Sequence, residues 1–181
     1  MKGFEDVLAF WFVEHGPEHW FARTAEFDAA LAERFSETHE AVSRGEAWAW
    51  RGDARGRLAE ILVLDQFSRQ LHRGSGAAFA QDGMALVLAQ EAVSARVHET
   101  VGKPGGLFVL MPFMHAESVQ VQEEGVRLFE AYGEPDNLDF MIKHRDTIAR
   151  FGRFPFRNAA LGRQSTPEET AYMAEQQERG F

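Results

Sequence analysis

The chain contains no cysteine. That excludes disulfides, thiolate nucleophiles and thiolate metal sites together. Lysine is scarce: of nineteen basic residues three are Lys and sixteen are Arg. Planar guanidinium forks suit carboxylate or phosphate better than mobile ammonium groups do. Acids outnumber bases by 28 to 19, for a net charge of −9. Nucleic acid is therefore not expected as a partner, because phosphate contacts need a basic field. Long hydrophobic runs are missing too. The longest, Leu107 to Met114, has eight residues, against about 20 for a helix that crosses a bilayer. No membrane partner is expected. Glu5 and Asp6 stand directly before the first apolar stretch, unlike the flank of a secretory segment, so the expected location is cytoplasmic. Neither G-x-x-x-x-G-K, G-x-G-x-x-G nor G-x-S-x-G occurs, so P-loop, dinucleotide-binding and α/β-hydrolase readings are excluded together.

What is present is apolar content at helical spacing. Hydrophobic residues make up 45% of 181 residues and aromatics 12%, enough for one domain over 1–181 with a sizeable core. Phe4, Val7, Leu8, Trp11 and Phe12 follow the i, i+3, i+4, i+7, i+8 pattern. Thr24 and Asp53 are N-caps for a second and a third helix, stopped near Gly45 and Gly74. Ser75 precedes a fourth. Pro104, Gly105 and Gly106 are expected to break the chain, and Pro112 to open or kink the apolar segment that follows. Ser118 and Asn137 are caps for two further helices that end at Gly133 and Gly152. Thr166-Pro167-Glu168-Glu169 is a capping box with proline at the first helical position. No strict alternation runs long enough to define a strand. The class is all-α, seven or eight helices joined by short loops in antiparallel pairs. No fixed repeat period emerges. Trp11-Phe12 and Trp20-Phe21 read as core anchors. Trp48 and Trp50 either cover the core or form an exposed dimer patch; the oligomeric state stays open.

Three segments carry polar residues in apolar settings. On the third helix Asp65 and Arg69 each fall within about 20° of Leu58 at 100° per residue, inside an apolar stripe. A helix apolar nearly all round is central and buried, and a buried charge must be paired. The two residues either pair with each other and hold helices in register, or line a pocket that presents Arg69 to an anion. In the second segment, Met111 to Gln122, an apolar run delivers His115 and Glu117 to a helix N-terminus. His115 suits a general base or proton shuttle, and Glu117 either orients it or acts itself. Equally, Glu117 complements the helix dipole and His115 is a satisfied, half-buried residue. His-x-Glu with His144 as the only obvious third ligand does not define a metal site, and none is assigned. In the third segment, Met141 to Arg163, six bases stand against one acid. Phe151, Phe154 and Phe156 alternate with arginines through a proline turn, and Arg153, Arg157 and Asn158 have the makings of a carboxylate or phosphate clamp.

At these residues the chain resembles the bacterial DUF924 family, which has no established function. The markers are Phe10-Trp11-Phe12, Trp20-Phe21, Leu64-Asp65-Gln66-Phe67 with Arg69 and Arg73, and Ala78-Phe79-Ala80-Gln81-Asp82. They continue with Pro112 and His115-Ala116-Glu117, then Arg150-Phe151-Gly152-Arg153-Phe154-Pro155. Arg157-Asn158, Leu161-Gly162-Arg163 and Ser165-Thr166 complete them. The resemblance covers nearly the whole length. It implies a tetratricopeptide-repeat-like superhelix of stacked antiparallel helix pairs with a groove. Two positions depart from the family pattern: Phe156 stands where His is usual, and Ser68 where Pro is usual. A family chemistry that needed His at 156 would be lost or altered here.

Three functional readings follow. In the first, a pocket lined by Asp65, Arg69, Arg73, His115, Glu117, His144, Arg153, Arg157 and Asn158 binds a small anionic metabolite. Acid–base chemistry by His115 and Glu117 is an option there, so the choice between enzyme and binding protein stays open; no cofactor is implied. In the second, a tetratricopeptide-like scaffold holds a peptide or protein in a concave groove, with the arginines on a peptide carboxylate. In the third, the charges form an internal structural network. The sharpest expectation concerns Asp65: it is buried and accepts a charge-assisted hydrogen bond from Arg69 or from an arginine of the 153–163 segment. Asp65→Ala should then cost roughly 3–5 kcal/mol in urea unfolding, and a wild-type midpoint for this variant would overturn the assignment.

Overall fold

In the computed structural model, which describes residues 1–21 and 24–178, all regular secondary structure is helical. The chain forms two compact units: residues 1–73 with 77–112, and residues 74–76 with the described chain from Phe113 on.

Local capping by a side chain starts three helices of the first unit, two of them at the N-caps the sequence places. The Gly3 N–H donates to the Asp6 carboxylate at 3.0 Å ahead of α1 (Phe4–Ala9), which runs straight into a π turn, Phe10–Glu14. α2 is a single turn, Pro17–Trp20. The Thr24 hydroxyl accepts the Phe27 N–H at 3.4 Å and opens α3 (Ala25–Ser43), which stops before Gly45 at φ 79°. The Asp53 carboxylate accepts the Arg55 N–H at 2.7 Å and opens α4 (Ala54–Leu62). α4 continues without a break through a π turn, Val63–Phe67, into α5 (Ser68–Leu71). A 3-10 turn, Gly76–Phe79, separates this from α6 (Asp82–Ser94). The helix expected directly after Ser75 therefore starts later, because the flanking Gly74, at φ 75°, and Gly76 favour a turn. α7 is one turn, Val97–Thr100.

The expected break at Pro104-Gly105-Gly106 does not occur. All three lie inside α8 (Gly102–His115), which belongs to the first unit up to Pro112. Pro104 falls in the first turn, where a missing N–H goes unnoticed. Gly105 serves close packing: a Cβ there would stand 2.9 Å from Leu58 Cδ2 and 3.0 Å from Val101 Cγ2. Tertiary contact thus offsets the poor helix propensity of glycine. Gly56 is tighter still, since a Cβ would meet the Trp50 carbonyl oxygen at 2.1 Å.

Aromatic rings fill the first unit. Phe10, Phe27, Phe35 and Phe67 cluster, with Phe10 and Phe35 centroids 5.1 Å apart. Trp11 stacks parallel to Trp20, whose ring meets Phe108 edge-on at 4.9 Å. Trp11 and Trp20 are buried as expected, whereas Phe21 is exposed. The tryptophans after α3 divide: Trp50 is buried against Phe4, and Trp48 is 70% exposed. All five residues of the second π turn are buried, Asp65 and Gln66 included.

The second unit is built on a helical hairpin, α9 (Val119–Tyr132) and α10 (Pro135–Phe151), turned at Gly133 with φ 79°. Gly125 lets Met141 approach, and Phe113, Leu128, Phe129 and Ile148 are buried. Ser118 occupies the N-cap of α9 but gives no side-chain cap bond. α10 starts earlier than the Asn137 cap expected from sequence, with Glu134 as N-cap and Pro135 at its first position. Proline loses nothing there and brings a helical φ. α11 (Pro167–Glu178) opens on the capping box, with Thr166 N–H to Glu169 Oε2 at 2.8 Å and Glu169 N–H to Thr166 Oγ1 at 3.1 Å. The division into elements is finer than seven or eight helices, because two helices change pitch midway and others are single turns.

Ser68 shows what its departure from proline supplies. Its hydroxyl donates to the Leu64 carbonyl at 2.6 Å, so His39 Nε2–H, 2.8 Å away, donates to Ser68 Oγ. His39 is buried, and burial, helped by the charge of His72, pushes its pKa down from 6.5 to about 4. The native state thus resists a proton that the unfolded chain accepts. Stability is full above pH 6.5 and falls as pH drops towards about 4, by about 3 kcal/mol in all. Urea unfolding from pH 7 to pH 4 should show this slope, and His39→Gln should remove it; an unchanged slope in the variant would assign the loss to other groups.

Candidate functional site

In the second unit the end of α10 and the loop to α11 form a continuous polar run. Gly152, at φ 71°, ends α10 and turns the chain into Phe154 and the 3-10 turn Pro155–Arg157. Glu117, just ahead of α9, accepts the Phe154 N–H at 2.7 Å and both Arg163 Nη groups at 2.7 and 2.9 Å. Arg163 Nε donates to Asn158 Oδ1 at 3.0 Å. Asn158, buried, donates through Nδ2 to Ser165 Oγ at 3.0 Å and to Glu169 Oε2 at 3.2 Å. Arg153 grips Glu169 with two bonds of 2.7 and 2.9 Å and also donates to the Gln164 carbonyl. Arg157 donates to the His115 carbonyl at 2.9 Å and lies 4.5 Å over the Phe154 ring. The His144 ring meets Phe154 edge-on, 5.5 Å centroid to centroid, its Nδ1 2.8 Å from the Phe140 carbonyl oxygen.

Of the expected clamp of Arg153, Arg157 and Asn158, Arg153 and Asn158 hold a carboxylate of the chain itself, that of Glu169, while Arg157 donates to the His115 carbonyl. Hydrogen bonds from Arg153 and from the Thr166 N–H hold that carboxyl at a pKa of about 2, against the opposing effect of burial. Burial raises the Glu117 pKa, but the Arg163 and Phe154 bonds and the charges of Arg163 and Arg157 outweigh it, and the net shift is downward. A proton acceptor working near neutrality needs the opposite shift. Phe156 lies outside this run. It is 48% exposed, 6.4 Å from the Tyr172 ring, so the missing histidine leaves the run intact.

The first unit holds Asp65, Arg69 and Arg73. Asp65 is 1% exposed; Arg69 Nη1 lies 3.1 Å from its Oδ1, and Gln66 donates to Oδ2 at 2.5 Å. Arg69 also grips Asp82 at 2.9 and 3.1 Å. Arg73 grips Asp28 at 2.6 and 3.0 Å and bonds Gln70. Ser68 and His39 are not a nucleophile and its base, since the histidine donates and the serine is fully buried. Asp82, Asp28 and Glu169 are the partners that sequence reasoning missed. Glu169 was visible as a capping residue, but its second role depends on where the loop returns.

The first unit also carries an open groove of about 420 Å³ between α1, α4 and the start of α8. Leu8, Phe12, Val13, Leu58, Val101 and Pro104 make its apolar wall, and Glu5 and Arg55 bring charge to it. Both charged residues are exposed. Among the described residues neither takes part in a hydrogen bond or an ion pair within 4.0 Å through its side chain. No sequence signal marks this place, because Glu5 and Arg55 are ordinary surface charges far apart in the chain. No group of three or more His, Asp or Glu among the described residues is placed to hold a metal ion. No helix there is long and apolar enough to cross a membrane.

These features define an all-helical protein in which Arg69, Arg73, Arg153 and Arg163 are locked onto its own carboxylates. The chain belongs to the family described as bacterial protein of unknown function (DUF924), whose model matches residues 7–177. It is similar to the solved structure of the protein of unknown function ATU0120 from Agrobacterium tumefaciens. The two are 37% identical, with a TM-score of 0.90, over 95% of this chain and 97% of that one. No curated protein matches the chain.

Glu169 gives a direct test of the polar run. Its ordinary pKa is 4.5 and its folded value about 2, so the carboxylate stabilises the fold above pH 4.5 and loses that effect as pH falls towards 2. Glu169→Gln should lower the unfolding temperature at pH 7 and match the wild type near pH 2. Equal unfolding temperatures at pH 7 would remove Glu169 from the network.

Proposed function

We propose that the protein binds a small molecule with an apolar body and an anionic group, and that the groove of the first unit is its site. One observation carries this reading: Arg55 reaches the wall of an apolar concavity with its guanidinium unpaired among the described residues. The volume falls in the range of small-molecule sites, about 300–1,000 Å³. Arg69, Arg73, Arg153 and Arg163 each grip a carboxylate of the chain. A ligand anion taken there would have to displace one. The expected ligand class, a carboxylate- or phosphate-bearing metabolite, is thus kept, and its place moves to Arg55.

The test is an NMR titration of the full chain with 3-phenylpropionate and with its neutral amide. Shifts should centre on the methyl groups of Leu8, Val13, Leu58 and Val101, and the carboxylate should bind more tightly than the amide. Arg55→Gln should erase that preference, a change of roughly twofold to fivefold for an exposed ion pair. Shifts centred on 115–117 and 153–163 would transfer the anion site to the arginine run. A peptide with a free C-terminus that competes with 3-phenylpropionate would place the peptide-scaffold reading in the same groove.

A further inference from the structure

We propose that the groove selects zwitterions: molecules with an apolar body that carry an ammonium and a carboxylate together, as hydrophobic amino acids and short peptides do. This rests on the groove being the binding site. Arg55 supplies the anion partner, and the new element is Glu5. Both residues line the same concavity from different helices, Glu5 on the first turn of α1 and Arg55 on the first turn of α4. Leu8 and Leu58 lie one helical turn further along each helix and form part of the apolar floor.

The two charges do not neutralise each other, since no Glu5–Arg55 contact falls within 4.0 Å. Several other opposite charges of the chain do pair. Arg34 pairs with Glu14, Arg44 with Glu46, Arg51 with Glu60 and Arg127 with Glu124, on exposed surfaces as well as in the interior. An opposite pair left apart across an apolar groove leaves a gap that a bridging ligand fills. The ligand's carboxylate goes to the Arg55 fork and its ammonium to the Glu5 oxygens. Glu5 also acts against competitors. A ligand with only a carboxylate brings its charge near another carboxylate, and that repulsion disfavours simple anions. The apolar wall then favours a hydrophobic side chain over a polar one.

The experiment titrates the full chain with two matched pairs that differ in the spacing of their charges. These are phenylalanine with N-acetylphenylalanine, and the dipeptide Leu-Phe with its N-acetyl form. In at least one pair the zwitterion should bind threefold or more tightly than its N-acetyl counterpart. Glu5→Gln should bring that ratio to one without weakening the N-acetyl compound; Glu5 is exposed and makes no side-chain bond among the described residues, so the variant should unfold with the wild type. Equal or tighter binding of both N-acetyl compounds, with Arg55→Gln still weakening them, would overturn zwitterion selection and leave the anion reading standing. The absence of saturable shifts at the groove methyls with any of the four compounds would overturn both.

Discussion

A charge taken out of water has to find its counter-charge inside the protein. In this chain that requirement organises both units. Asp65, Glu60 and Glu169 are almost fully buried, and Arg69, Arg51 and Arg153 meet them at hydrogen-bonding distance. Removing one partner of such a pair strands the other in a poor solvent, which costs far more than the pair itself gains over a well-packed apolar substitute. Arg153 and Arg163 fix the path of the loop between α10 and α11. Arg69 ties α5 to the start of α6.

The shortage of lysine follows from the same requirement. The Arg51–Glu60, Arg69–Asp82, Arg73–Asp28, Arg153–Glu169 and Arg163–Glu117 pairs each use two parallel N–H···O bonds. A guanidinium offers that fork ready-made, and an ammonium does not. A run rich in arginine and phenylalanine need not be a binding surface. Here Arg153 and Arg163 hold the loop between α10 and α11 to carboxylates of the chain. Glu5 and Arg55, which line the groove, belong to no such pair among the described residues.

Capping chemistry was legible because it is local. Thr24, Asp53 and Thr166 each start a helix with a side chain bonded to a backbone N–H two or three residues on. Interactions of that range are written in adjacent letters. The burial of Asp65 was legible for a related reason: its neighbours on the helical wheel are apolar, and no solvent-facing stripe exists for it to occupy. Pro104-Gly105-Gly106 was misread as a break because propensity is a weak term. Close approach to Leu58, far earlier in the chain, outweighs it. The late start of α6 and the early start of α10 were missed for smaller reasons, the flanking glycines in one case and the tolerance of proline at a first turn in the other.

The sequence by itself determined that the chain is helical, where α1, α3, α4, α9 and α11 begin, that thiol chemistry is absent, and that Asp65 is buried and paired. Each of these depends on composition or on residues within a turn or two of one another. Only the tertiary structure decided which carboxylate each arginine holds, and that Glu5 and Arg55 share a groove while Glu169 and Arg153 share a bond. Partner choice depends on which surfaces meet after the chain has folded back. Charge–charge attraction is non-specific in sequence and becomes specific only when geometry brings two groups to within about 3 Å.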